Sequence, residues 1–229
     1  MDIRILIAKL KIFDTPTICN ALEMIDQDRR NFGYTDESFF CLNPQMDPIV
    51  GIAKTATIRS LRPSTLTPDE LKQERVKYYS YVYDGELPKI VVMQDLDGLR
   101  HGHGVFWGEF NSRVHRYLGC EGVITDGSVR DVPNLPTDFQ ILASALRPSH
   151  ANIHIVDYGK QVNVYSMVVN PGSIVHADLH GAVTFDVTLA EQVIECAHQF
   201  VESERTVLNA CKNPSGLTFE KLIELYLGR

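Results

Sequence analysis

The sequence predicts a layered α/β domain built around a mixed sheet. Three observations carry this. Short continuous apolar runs, Lys89 to Gln94, Gly122 to Thr125 and Phe139 to Ala143, read as strands buried on both faces. Helical segments alternate with strands early in the chain, and paired strands dominate from Ile153 to Phe185. At 229 residues and 44% apolar, the chain is long enough for one substantial core and shows no linker, repeat or low-complexity tract. Residues 1–229 are therefore expected to form a single domain.

The elements follow in order. Asp14 can cap a helix whose first turn holds Pro16, where a missing N–H costs nothing; Ile18, Leu22 and Ile25 then share a face. Asn31 to Pro48 is expected to be irregular. Ile49 to Ile58 reads as a strand, with Val50, Ile52, Ala56 and Ile58 small or β-branched. Thr67-Pro68-Asp69-Glu70 is a capping box with Pro at the first helical position, and predicts a helix to about Tyr83. A Gly-rich stretch, Asp97 to Gly104, follows the strand at Lys89. From Gly108 to Leu118, Phe110, Val114, Tyr117 and Leu118 recur at helical spacing. Ile153 to Val156 and Val162 to Val168 are expected to pair antiparallel through Tyr158-Gly159. After the turn Pro171-Gly172-Ser173, Ile174 to Ala177 pairs with Ala182 to Phe185. A long amphipathic helix runs from Thr188 to about Asn213, Pro214-Ser215-Gly216 ends it, and a short helix starts at Thr218.

Charge and composition exclude several partner classes. With 29 acids against 22 bases the net charge is -7, which repels phosphate backbones and argues against nucleic acid. An anionic metabolite remains compatible if a local Arg or a metal overcomes that field. The five cysteines, Cys19, Cys41, Cys120, Cys196 and Cys211, form no C-x-x-C and read as reduced thiols of a cytoplasmic protein. Residues 1–13 interrupt their apolar positions with Arg4, Lys9 and Lys11, too soon for a signal segment, and no apolar run is long enough to span a membrane.

The chemistry-bearing cluster is Trp107-Gly108-Glu109-Phe110-Asn111 with, about twenty residues on, Asp126-Gly127-Ser128-Val129-Arg130-Asp131. A helix opening at Gly108 leaves backbone N–H groups free to meet a carboxylate or an enolate oxygen. Glu109, in that first turn, could hold a water or shuttle a proton. The second segment leaves a buried strand, and in α/β folds ligands gather at the carboxyl ends of strands. Arg130 offers a planar fork for a carboxylate. Asp131 offers hard oxygens for magnesium or manganese. The plainer alternative is a surface ion pair beside a glycine cap. Elsewhere, His101 and His103 lack a third metal ligand, Asp95-Leu96-Asp97-Gly98 lacks the later Glu of a calcium loop, and His115 and Trp107 read as packing residues. His176 and His180 read first as a solvated turn, with a neighbouring subunit's pocket as the alternative. Asp178 is either a turn former or a carboxylate offered across an interface.

The stretch Leu118-Gly119-Cys120-Glu121-Gly122-Val123-Ile124-Thr125-Asp126-Gly127-Ser128-Val129-Arg130-Asp131, preceded by Trp107-Gly108-Glu109, resembles the signature of the 4-hydroxy-4-methyl-2-oxoglutarate aldolase family, which also contains the RraA-like regulators of ribonuclease activity. Asp14 to Leu22, Ile49 to Arg59 and Asn170 to Val183 resemble further family segments in the same order. The resemblance implies a β/β/α swivelling-domain-like fold with a mixed sheet flanked by helices. It implies a class II, metal-dependent lyase that releases pyruvate from a 4-hydroxy-2-oxo acid by retro-aldol cleavage and decarboxylates oxaloacetate. It places the metal, Mg2+ or Mn2+, on Asp131. Catalytic roles fall on Arg130 and Glu109, and substrate binding on Gly108, Glu109, Phe110, Asn111 and Arg130. It also implies a homotrimer or homohexamer with sites near subunit contacts. The alternative it carries is a non-catalytic protein-binding regulator of a ribonuclease. The sequence departs from the family at Phe110 and Asn111, where two aliphatic residues are usual, and at Ser173, where Asp is usual. The loop Gly98 to Gly104 has no family counterpart.

Overall fold

The computed structural model describes residues 2–228. In chain order the elements are α1 (Ile3–Leu10), α2 (Thr15–Ile25), β1 (Phe40–Cys41), β2 (Ile49–Arg59), α3 (Pro68–Tyr83), β3 (Lys89–Asp95), β4 (Val105–Trp107), α4 (Glu109–Tyr117), β5 (Cys120–Thr125), β6 (Ser128–Val129), β7 (Gln140–Ala143), β8 (Ala145–Leu146), β9 (His154–Tyr158), β10 (Val162–Val164), β11 (Met167–Val169), β12 (Ile174–Asp178), β13 (Gly181–Phe185), α5 (Ala190–Lys212) and α6 (Phe219–Leu227). No helix of the described residues is long and apolar enough to cross a membrane.

An eight-stranded mixed sheet forms the centre, in the order β1-β7-β5-β3-β2-β12-β13, with β9 also on β2. The run β7-β5-β3-β2 is parallel, and the strands added around it are antiparallel. Side-chain alternation sorts each strand into two cores. Val91, Met93, Val123 and Ile141 face α3 and α4, and Val50 faces α1, α2 and α5. Ile49, Ala53, Ile90, Val92, Ile124 and Leu142 face the other way, against Val162, Val164, Met167 and Val169 of the β10–β11 hairpin. Helices thus gather on one side and a β-layer covers the other, the layering that the resemblance implied.

Several sequence expectations change, among them the irregular stretch Asn31 to Pro48, which contains β1. Ile153 to Val156 does not pair with Val162 to Val168. Instead β9 runs antiparallel to the second half of β2, Ala56 opposite Tyr158 and Arg59 opposite His154. Residues 162–169 fold on themselves through Tyr165 and Ser166, at φ of 52° and 65°. Turns of that hand usually announce themselves with Gly or Asn. Here Tyr165 is held instead by burial and by its hydroxyl, which donates to the Thr125 carbonyl at 2.8 Å. At the start of the chain stands a helix absent from the sequence expectations: α1, capped by Asp2, buries Leu6, Ile7 and Leu10.

Lys89 is 1% exposed, at the start of β3. Its ammonium donates to the carbonyls of Tyr83 and Leu118, the C-terminal ends of α3 and α4. A cation at two helix C-termini meets two sets of orphan carbonyls and two negative dipole ends. Burial lowers its pKa, and the two carbonyls give the buried ammonium hydrogen-bond acceptors in place of water. Lys89→Met keeps the stem but strands the carbonyls. It is expected to cost about 2 kcal/mol, read as a lower urea midpoint at unchanged slope.

His176, expected at a solvated turn, is fully buried. Its Nδ1 meets Thr15 Oγ1 at 2.9 Å, and its Nε2 meets the Phe13 carbonyl at 3.1 Å, so it ties the α1–α2 corner to β12. Asp178 proves a turn former, accepting from the amides of Thr15 and His180, both at 2.8 Å. Burial pushes both His176 and His115 down to about 4. The unfolded chain takes up their protons near the ordinary value of 6.5, so their contribution is present above 6.5 and lost as pH falls toward 4. Asp126 acts oppositely. Burial pushes its carboxyl up to about 7, so the stability held by the protonated form is lost as pH rises from 3.8 through 7. Asp126→Asn should therefore steepen the fall in melting temperature between pH 6.5 and 4.5; a slope equal to wild type would refute the assignment.

Candidate functional site

Three parallel strands make a small second sheet, in the order β4-β6-β8, and each continues a strand of the central sheet, β3, β5 and β7 respectively. Trp107 lies opposite Val129, and Val129 opposite Leu146. One step further on, at the carboxyl ends, come Gly108, Arg130 and Arg147. The pairing carries on there: the Arg130 amide donates to the Trp107 carbonyl at 2.9 Å and the Arg147 amide to Val129 at 3.2 Å. The topology therefore brings together the start of α4, the Arg130-Asp131 pair and a second arginine.

Gly108 is the N-cap of α4 and has no side chain to cap it. Asp131 does so from the neighbouring strand end, its Oδ2 accepting from the Glu109 amide at 3.3 Å. A Cβ at Gly108 would stand 2.6 Å from Asp131 Oδ2 and 3.1 Å from Arg130 Cγ, so only glycine permits the approach. Asp131 itself sits at φ 58°, ψ 29°, a left-handed turn that aims its carboxylate back at the helix. Arg130 Nε lies 3.4 Å from the same Oδ2, with Nη1 donating to the Pro148 carbonyl at 3.4 Å. Both side chains remain about one third exposed, at 31% and 38%. The first intrahelical bond is from Ser112 N to Gly108 O, so the Phe110 and Asn111 amides precede it and have no partner within the helix.

Not every sequence-predicted residue faces this edge by its side chain. The Glu109 carboxylate pairs along the helix with Arg113 Nε at 3.0 Å, and Arg113 also donates to the Asn134 carbonyl at 3.2 Å. Phe110 projects outward, 69% exposed. Asn111 turns inward: at 6% exposed, its amide nitrogen donates to the Phe106 carbonyl and its oxygen accepts from Tyr79.

As a metal ligand Asp131 offers one carboxylate, and no group of three or more His, Cys, Asp or Glu among the described residues could hold an ion. That donor set suits a hard ion that keeps most of its water shell and does not suit an enclosed zinc-type cage. His101 and His103 form no such cage. His101 Nδ1 instead meets the Asp126 carbonyl at 2.7 Å.

A second carboxylate cluster escaped the sequence reading. Asp126 Oδ1 accepts from the Asp95 amide at 2.6 Å, and the Asp95 carboxylate accepts from Asp97 at 3.0 Å and Gly102 at 2.8 Å. Asp97 Oδ2 accepts from Ser60 and Leu61 amides. These acids pin the Gly-rich loop to the ends of β3 and β5, and each is engaged by backbone. Gly102 is required there, because a Cβ would meet Ser144 and Ser128 hydroxyls at 2.6 and 2.7 Å. Acids that hold a loop by its amides leave no diagnostic spacing in a sequence. The concave clefts lie elsewhere, among them one of about 220 Å3 beside α3 and one of about 490 Å3 at the starts of β3 and β5. Neither is lined by the residues that converge on α4.

Comparison with known proteins places this geometry. The chain is 29% identical over 103 residues to an uncharacterized protein of Methanocaldococcus jannaschii, covering 44% of this chain and 50% of that one; the chain thus spans about half the length of this curated relative. Its fold is similar to that of a crystal structure described as novel cellulases from microbes associated with the gut ecosystem. The TM-score is 0.74 at 16% identity, covering 90% of this chain and 87% of that one. It is also similar to Streptomyces coelicolor RraAS2, described as an unusual member of the RNase ES inhibitor RraA protein family. There the TM-score is 0.69 at 20% identity, covering 88% and 94%. At such identities these likenesses show the fold alone. The RraA-like family model, described as Aldolase/RraA, matches residues 15–184 and so takes in the whole segment from α2 through β12 that builds the Gly108, Arg130 and Asp131 edge. The chain belongs to the RraA-like (Aldolase/RraA) family.

Proposed function

We propose that the protein is a divalent-metal-dependent lyase that cleaves a C–C bond of a 4-hydroxy-2-oxo acid and releases pyruvate, with oxaloacetate decarboxylation open to the same site. The observation that carries this reading is the convergence of Arg130, Asp131 and the first amides of α4 on one strand end. A surface ion pair would have no need of a glycine that only just admits it.

Asp131 would hold a magnesium-like or manganese-like ion, which when bound supplies Lewis-acid stabilisation of charge developing on the substrate's keto oxygen. Arg130 presents its fork to the carboxylate of the 2-oxo acid, and Arg147 on the adjacent strand end adds to the positive field. The Phe110 amide, which has no partner within the helix, would stabilise the enolate oxygen without reorganising, while the Glu109 amide holds Asp131 in place. Glu109, once turned from Arg113 toward the edge, would hold the water that accepts the 4-hydroxyl proton. As that proton leaves, the C3–C4 bond breaks, its electrons pass into the pyruvate enolate, and protonation at C3 completes pyruvate.

The site lies on an open edge, bordered by the exposed apolar Phe110 and Leu146. Completion by a second copy, in a homotrimer or a pair of trimers, fits that exposure. A second reading, a non-catalytic regulator that binds a ribonuclease, draws on the likeness to the Streptomyces protein and on the surplus of acids. The two part on one measurement: pyruvate release from oxaloacetate or a 4-hydroxy-2-oxo diacid with added magnesium. No release above background selects the regulator.

Asp131→Ala should lower metal-dependent kcat/KM by at least about 100-fold. Because Asp131 also caps α4, it should cost about 1 kcal/mol of stability. Turnover within a few-fold of wild type would remove Asp131 from the site. Arg130→Lys should lose turnover nearly as severely, since a point charge cannot reproduce a fork; unchanged KM and kcat would show that Arg130 does not grip the substrate.

A further inference from the structure

We propose that Asn111 is a positioning residue for the amides that open α4, and that Tyr79 of α3 sets it. The proposal rests on the reading of those amides as the anion site and gives the inward side chain of Asn111 a role that contact with substrate would not.

The hydrogen bonds form a chain whose direction can be assigned from chemistry. The Phe106 carbonyl only accepts, so Asn111 Nδ2 donates to it, at 2.5 Å. Asn111 Oδ1 therefore accepts, from the Tyr79 hydroxyl at 2.8 Å, with Arg75 Nη1 at 3.5 Å. One turn along, His115 Nδ1 lies 2.6 Å from the Asn111 carbonyl and must carry the proton. Neutral His115 then accepts at Nε2 from the Tyr78 hydroxyl, at 2.9 Å. Burial keeps His115 neutral across the physiological range.

The side chain of the third helical residue thus staples the first turn of α4 to the strand that feeds it. Tyr79, Tyr78 and Arg75 anchor that turn to α3 from behind, with the Arg75 guanidinium 4.9 Å from the Phe106 ring. Gly108 has no side chain to do this, and Asp131 grips the turn from outside. An anion held by backbone amides demands that they be placed to a fraction of an ångström, and misplacement is felt in binding before it is felt in folding.

The test compares full-length wild type, Tyr79→Phe and Asn111→Leu. Three readouts are taken: hydrogen exchange of the 112–115 amides, whose bonds to the 108–111 carbonyls close the first turn, calorimetric binding of pyruvate with magnesium present, and calorimetric binding of magnesium alone. Tyr79→Phe removes one hydroxyl from a half-buried ring and keeps the packing, so it tests the proposal even if Asn111→Leu fails to fold. Expected are faster exchange confined to the first turn, pyruvate binding weakened about tenfold and magnesium binding within twofold of wild type. Unchanged exchange at 112–115 in Tyr79→Phe overturns the proposal. So does loss of pyruvate and magnesium binding in equal measure, which would mark a general structural role. Faster exchange in a protein whose wild type binds no pyruvate would support the staple and remove the functional reading.

Discussion

The absence of a side chain at residue 108 is the constraint on which the rest of the edge depends. Strand β4 must hand over to α4 within one residue, and that residue must let the carboxylate of Asp131 lie almost against its α-carbon. Any Cβ would push Asp131 away, uncap the helix and separate Arg130 from it. The arrangement is economical, because one carboxylate caps a helix, pairs with a guanidinium and still keeps about a third of its surface in solvent. A group with that combination of roles is held firmly without being used up.

Much of this was legible in the sequence, for reasons that differ by element. The capping box at Thr67 to Glu70 gave α3 its start, and Asp14 with Pro16 gave α2 its start, because caps are local chemistry. The buried parallel strands announced themselves by continuous apolar runs. What stayed hidden depended on distant partners. The two-residue strands β6 and β8 are too short to carry a period, and β9 looks like a partner for its neighbour until β2 is seen to need an antiparallel strand along its second half. His176 read as a turn residue, since nothing in the sequence reveals that Thr15 and the Phe13 carbonyl would meet it.

The candidate site divides the same way. Gly108, Arg130 and Asp131 could be named from residue type and resemblance, and they do lie together. The direction of the side chains could not be read. Asn111 fits the family segment by position, yet its amide faces Phe106 and Tyr79. Glu109 leans along the helix to Arg113. An α-helix start offers its amides to one side and its third side chain to the interior, so position in a motif and exposure to a ligand are separate properties. Family membership covers the segment that builds this backbone edge, and a shared fold does not by itself assign an activity to it.

Strand β2 has one more consequence. Along one side it is paired by β3 from Ile52 to Ile58, but its other side is shared: β12 covers Ile49 to Ile52 and β9 covers Ala56 to Arg59. Both partners lie about a hundred residues or more downstream. Such long loops give the fold a high contact order, and they delay its completion until most of the chain is available. During vectorial synthesis β2 would emerge early with a bare, apolar hydrogen-bonding edge, the kind of surface on which unrelated chains add strands. That edge is closed only once the chain has reached Asp178.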